Sequence, residues 1–144
     1  MKTRILWACL PALACTAVLA LAVPSMAANV NMKADLKGAS EVPPVDTKGT
    51  GSLTATYDAA SKKLSYKGNV SGLSGPATAA HFHAGEAGKN GGIVVPIAGA
   101  EKGTFEGSAT LTDEQAADLM AGKWYVNVHT AANKGGEVRG QVTK

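Results

Sequence analysis

From residue 34 onward, apolar and polar residues alternate in short runs, and turn residues recur about every ten to fifteen positions. A period of two is the mark of a strand with one buried face. Ala34 to Leu36 starts the first strand. Ser52 to Tyr57 sets Leu53, Ala55 and Tyr57 against Ser52, Thr54 and Thr56. Asp58-Ala59-Ala60-Ser61 turns the chain, and Lys63 to Val70 returns with Leu64, Tyr66 and Val70, so these two strands form a hairpin. Further strands are expected at Ala77 to His83, Ile93 to Ile97, Gly103 to Leu111, Lys123 to His129 and Glu137 to Val142. Glu41-Val42-Pro43-Pro44-Val45 reads as an extended edge segment, because two prolines lack ladder donors. Gly85 to Gly92 holds four glycines in eight residues and is a loop.

One segment breaks the alternation. Thr112 can cap a helix, with Gln115 three residues later as its reciprocal partner. Ala116, Leu119 and Met120 make one apolar stripe, and Gly122 closes it. This predicts one short helix from about Asp113 to Ala121. The whole reads as an all-β fold, an antiparallel Greek-key-like β-sandwich of seven or eight strands with one short helix.

Matching the apolar faces of the last two strands fixes their register. Val128 opposes Val138, and Val126 opposes Gly140. His129 then falls opposite Glu137, and Asn127 opposite Arg139. All four polar residues would lie on a patch outside the core.

The start of the chain has a different character. Two positive charges in Met1-Lys2-Thr3-Arg4 precede an uncharged, Leu- and Ala-rich run from Ile5 to Val23, and Ser25-Met26-Ala27 offers small residues around a cut after Ala27. Residues 1–27 are therefore expected to be a cleaved signal peptide, leaving a single domain of residues 28–144 that is periplasmic or secreted, with no membrane span. The apolar run continues past Cys15, and Leu13 is not at the usual place before the cysteine, which argues against lipidation there. Both cysteines, Cys9 and Cys15, leave with the leader, and with them any thiol nucleophile or thiolate ligand. In the mature chain 12 basic residues face 11 acidic ones. No basic stripe remains for nucleic acid.

Candidate chemistry rests on three histidines, His81, His83 and His129. In His81-Phe82-His83, period two puts both imidazoles on one face and Phe82 on the other. Trp124, Val126 and Val128 likewise form an apolar face, opposite Tyr125, Asn127 and His129. Two histidines at i and i+2, with a third from another strand, can hold one transition metal; imidazole suits copper and zinc. Three protein ligands with an open position also describe catalytic zinc. Glu137 would be a further ligand or would orient His129 through the second imidazole N–H, with Asn127 and Arg139 beside it. The alternative is a module without metal that binds another extracytoplasmic protein or a glycan. No Gly-x-Ser-x-Gly elbow is present, and no Gly-Lys-Ser/Thr ends the glycine loop, so no catalytic residue is assigned. Asp113 and Glu114 suit a helix N-terminus and read as structural. Glu41 has Arg139 or a lysine as candidate partners.

Four stretches resemble the CHRD domain, the module named for its occurrence in chordin and found alone in exported bacterial proteins. They are Leu36-Lys37-Gly38-Ala39-Ser40-Glu41-Val42-Pro43-Pro44-Val45, Ala80-His81-Phe82-His83-Ala84-Gly85, Tyr125-Val126-Asn127-Val128-His129-Thr130 and Gly136-Glu137-Val138-Arg139-Gly140-Gln141. The resemblance implies a single extracytoplasmic β-sandwich and says little about activity. In chordin the domain belongs to an extracellular antagonist of signalling ligands. A weaker similarity is to Cu/Zn superoxide dismutase, where a strand also carries His-x-His next to a glycine-rich loop. That enzyme's dinuclear site uses a bridging histidine and several further ligands, whereas this chain has three histidines in total. The similarity therefore leaves copper binding open and gives dismutase or zinc-hydrolytic activity no support.

Overall fold

The computed structural model describes residues 29–144. The expected leader, with Cys9 and Cys15, lies outside them. Eight strands form: β1 (Val30–Lys37), β2 (Thr50–Asp58), β3 (Lys63–Ser71), β4 (Ala77–Ala84), β5 (Ile93–Pro96), β6 (Thr104–Thr110), β7 (Trp124–Thr130) and β8 (Val138–Gln141). Every pairing is antiparallel, and the spatial order is β5-β4-β7-β8-β1-β2-β3-β6. β6 returns to β3 and β7 to β4 across the open ends, giving the Greek-key-like path. Among the described residues, only Lys37↔Arg139 and the bridge Lys33↔Thr143 pair β1 with the β8 end. About this thin seam the sheet curls towards a barrel, so that Tyr66 on β3 meets Phe82 on β4 edge to face at 5.1 Å.

The inward faces are the apolar faces of the alternating runs. Met32, Ala34 and Leu36 of β1 face Leu53, Ala55 and Tyr57 of β2 within one core. Phe82, Trp124, Val126, Val128 and Val138 are completely buried. Truncating a fully enclosed aromatic such as Trp124 to alanine typically costs about 3–5 kcal/mol. The helix α1 (Asp113–Met120) carries the expected capping box: Gln115 N–H donates to Thr112 Oγ1 at 3.1 Å and Thr112 N–H donates to Gln115 Oε1 at 3.0 Å. Gly122, at φ +73°, ends it. Leu119 anchors it in the core.

Two expectations change. Residues 41–49 do not pair at a sheet edge. The edges are β5 and β6, and the proline-bearing segment instead follows a 3-10 turn (Gly38–Ser40) and lies over the outer face beside β8. Nor is the polar patch of β7 and β8 outside the packed interior. Glu137 is 0% exposed, Arg139 2% and Asn127 3%. β7 and β8 are central strands, and the segments 41–49, 72–76 and 85–92 fold over their outer face. A second, polar layer is thereby buried opposite the apolar core.

Candidate metal centre

β4 and β7 are neighbours in the sheet, with His83 opposite Tyr125, His81 opposite Asn127 and Ala79 opposite His129. Period two points His81, His83 and His129 to the same outer face, and their ligand nitrogens all lie within 4.8 Å of one another. The sequence-derived triad is thus brought together. His83 is nearly enclosed, while His81 and His129 are partly open to solvent.

Hydrogen bonds preset two of the rings. His83 Nδ1 lies 3.0 Å from the Gly91 carbonyl, and His129 Nδ1 lies 2.9 Å from the Lys134 carbonyl. A carbonyl only accepts, so both Nδ1 atoms carry the proton, and in the neutral ring Nε2 is the nitrogen that presents a lone pair. His83 Nε2 is buried and has no hydrogen-bond partner among the described residues. An unsatisfied buried polar atom costs about 1–3 kcal/mol. His81 Nδ1 lies 3.2 Å from His129 Nε2. Two nitrogens at about 2.0–2.1 Å from one tetrahedral ion stand about 3.3 Å apart, so this pair already has the spacing of shared ligands. The widest separation in the triad must close by up to about 1.5 Å. Burial lowers the pKa of His81, helped by the neighbouring His129 and His83. Burial likewise lowers that of His83, outweighing its bond to Gly91. Both shifts favour the neutral ring that can bind a metal.

Contrary to expectation, Glu137 is not hydrogen-bonded to His129 among the described residues. Its Oε1 accepts from Thr47 Oγ1 at 2.6 Å and Ser74 N at 2.8 Å; its Oε2 accepts from Ser74 Oγ at 2.5 Å, Thr130 Oγ1 at 2.6 Å and Asn133 Nδ2 at 3.2 Å. The imidazole N–H goes to the backbone instead. Glu137 holds Asn133 in the turn that carries the Lys134 carbonyl. Asn127 donates to Glu41 Oε1 at 2.6 Å. Arg139 donates to Asn90 Oδ1 at 3.0 Å and to the carbonyls of Lys89 at 2.6 Å and Glu86 at 3.3 Å. The expected pairing of Asn127 with Arg139 is formed as a strand register. Neither is hydrogen-bonded to a triad nitrogen among the described residues.

Sequence reasoning missed the two carbonyls and Tyr125. The Tyr125 ring lies parallel to His83, with centroids 4.8 Å apart. A carbonyl carries no side-chain signature. Tyr125, however, shares the outward period of Asn127 and His129, and that signal was readable. Gly91 is sterically obligatory: a Cβ there would sit 1.5 Å from the Ala84 carbonyl oxygen.

The two buried carboxyls of the outer layer titrate in opposite directions. For Glu137, burial favours the neutral acid, but hydrogen bonds from Ser74, Thr130 and Thr47 outweigh it and hold the group at about 2. For Glu41, burial prevails over Arg139 and Asn127 and lifts the group to about 7. As pH rises from about 4.5 to about 7, the unfolded chain releases the Glu41 proton before the folded one does, so this group costs stability in that window. The depressed histidines act in the opposite sense over part of it and cancel in a comparison with Glu41→Gln. The stability of Glu41→Gln relative to the parent should therefore climb by up to about 3 kcal/mol between these pH values. Chemical denaturation of both proteins across the range measures this, and a constant difference would refute it.

With the geometry in place, comparison with known proteins gives one match: a family profile for the CHRD domain covers residues 32–142. The chain belongs to the CHRD-domain family. The matched region contains all three histidines, the three covering segments and the strand pairings around them. No curated protein and no solved structure matches this CHRD chain. Among the described residues of the CHRD protein, no helix is long and apolar enough to cross a membrane.

Proposed function

We propose that this CHRD protein binds one transition-metal ion, copper or zinc, through His81 Nδ1, His83 Nε2 and His129 Nε2. One observation carries the reading. A buried imidazole nitrogen, His83 Nε2, has its lone pair exposed by the Gly91 bond and no hydrogen-bond partner among the described residues, and it lies in a cluster with ring nitrogens of His81 and His129. His81 must move its proton to Nε2 for its Nδ1 to ligate. That is a tautomer exchange at a partly solvent-open ring, with no net proton release. Three neutral imidazoles suit either metal, and the open side leaves a coordination position for water or a small ligand. The protein works outside the cytoplasm, as CHRD membership suggests, after removal of residues 1–27. No side chain at the site is assigned a catalytic role.

Chelation of the purified mature protein, then dialysis against copper or zinc and ion analysis, tests the reading. One ion per chain is expected. An ion content near zero for both metals would reject it and favour a metal-free module that binds a protein or a glycan.

A further inference from the structure

The triad explains which nitrogens would bind a metal, but not why His83 holds its ring plane. Around it, two side chains of the outer layer form a layered stack. β7 lies between β4 and β8, so His83 from β4 and Arg139 from β8 approach Tyr125 from opposite flanks. The Tyr125 and His83 rings are parallel to within 6°. The Arg139 guanidinium carbon sits 3.4 Å from the Tyr125 centroid, within the range of a cation–π contact. Arg139 is itself pinned by Asn90 and two backbone carbonyls of the glycine-rich loop, so it cannot swing away without breaking three hydrogen bonds.

The same loop returns to Tyr125 and His83 at a single peptide. Gly91 N–H donates to Tyr125 Oη at 3.1 Å, and Gly91 carbonyl accepts from His83 Nδ1 at 3.0 Å. The stack and the loop therefore constrain the same ring in two ways. Stacking fixes its plane, and the phenol-anchored carbonyl fixes its tautomer. A flip of the imidazole about its outer bond would put a carbon against the Gly91 carbonyl and turn Nε2 away from His81 and His129.

We propose that Tyr125 and Arg139 are positioning residues that clamp His83 in one ring plane and one tautomer, with Nε2 directed at the metal. This rests on the metal reading for its purpose but not for its geometry, since the clamp is complete without an ion. Loss of an equivalent orienting partner typically lowers metal affinity about 10–100-fold.

Long-range proton–nitrogen NMR of the imidazoles in the metal-free protein, followed by a zinc titration, tests the clamp. The parent should show His83 as a single tautomer protonated at Nδ1. Tyr125→Leu removes ring and hydroxyl together; it should show mixed tautomers and an affinity lower by about 10–100-fold. Tyr125→Phe keeps the ring but loses the hydroxyl, and Arg139→Lys keeps the charge but loses the fork. Each should fall between parent and Tyr125→Leu, and they decide the matter if Tyr125→Leu does not fold. A single Nδ1-protonated tautomer and parental affinity in the folded variants would overturn the clamp while leaving the metal reading intact. A parent that binds no zinc, yet whose His83 tautomer becomes mixed in the variants, would uphold the clamp and count against the metal reading.

Discussion

Glu137→Gln should lower the stability of the folded domain by about 3 kcal/mol at neutral pH. The side chain is fully buried, and its two oxygens accept five hydrogen bonds from neutral donors, with no cation in contact among the described residues. A carboxylate held at about 2 instead of about 4.5 is favoured in the native state by about 1.4 kcal/mol for each tenfold step. The neutral amide loses that advantage. It must also turn an N–H towards groups that now donate. Placed at Oε1 it faces the Ser74 N–H, which cannot accept; placed at Oε2 it faces two hydroxyls and the Asn133 amide, which can reorient. The second arrangement is the less costly, so the variant folds but is weakened. For a domain of this size the loss corresponds to a fall in melting temperature of about 10 °C. Thermal unfolding at pH 7 measures it, and a melting temperature within about 2 °C of the parent would contradict it. The same logic makes the parent lose stability as pH falls from about 4.5 towards about 2, where the folded carboxylate finally protonates.

The second large effect is on binding. His129→Ala should lower copper or zinc affinity by more than about 100-fold, beyond what loss of a mere orienting partner costs, because it removes a ligand outright. The fold should survive. His129 is partly exposed and lies off the apolar core, and among the described residues its side chain hydrogen-bonds to His81 and to the Lys134 carbonyl alone. Melting temperature should therefore stay near that of the metal-free parent while affinity collapses, the reverse of the dominant effect of Glu137→Gln. Isothermal titration of the refolded, chelated proteins separates the two. Parental affinity in His129→Ala would remove His129 from the ligand set.

The fold and the triad were legible for the same reason: both follow from which way alternate residues point. Phe82 belongs in the core, so His81 and His83 cannot. Val126 and Val138 belong to one face, and this fixed Val126 opposite Gly140 and Asn127 opposite Arg139, the register the structure has. The helix was readable because its capping box is local, closed between Thr112 and Gln115. What period two does not say is whether the polar face meets water or other chain. Glu137, Asn127 and Arg139 lie outside the apolar core as expected, yet the segments 41–49, 72–76 and 85–92 cover them. Once covered, a carboxylate takes the densest set of donors within reach. For Glu137 these were Thr47 and Ser74, distant in sequence, together with Thr130 and Asn133 nearby, and not the histidine that register alone placed beside it. The partners that His83 and His129 did acquire are backbone carbonyls, which depend on how Gly91 and Lys134 turn and not on which side chains they carry.

In the proposed site, three imidazoles on neighbouring strands meet at one ion. A crystal structure of the chelated and reloaded protein, with anomalous data at the absorption edge of the added metal, would locate that ion. One anomalous peak is expected among His81 Nδ1, His83 Nε2 and His129 Nε2, at about 2.0–2.1 Å from each for zinc. No peak within about 3 Å of these nitrogens, in crystals of protein carrying one ion per chain, would contradict the account.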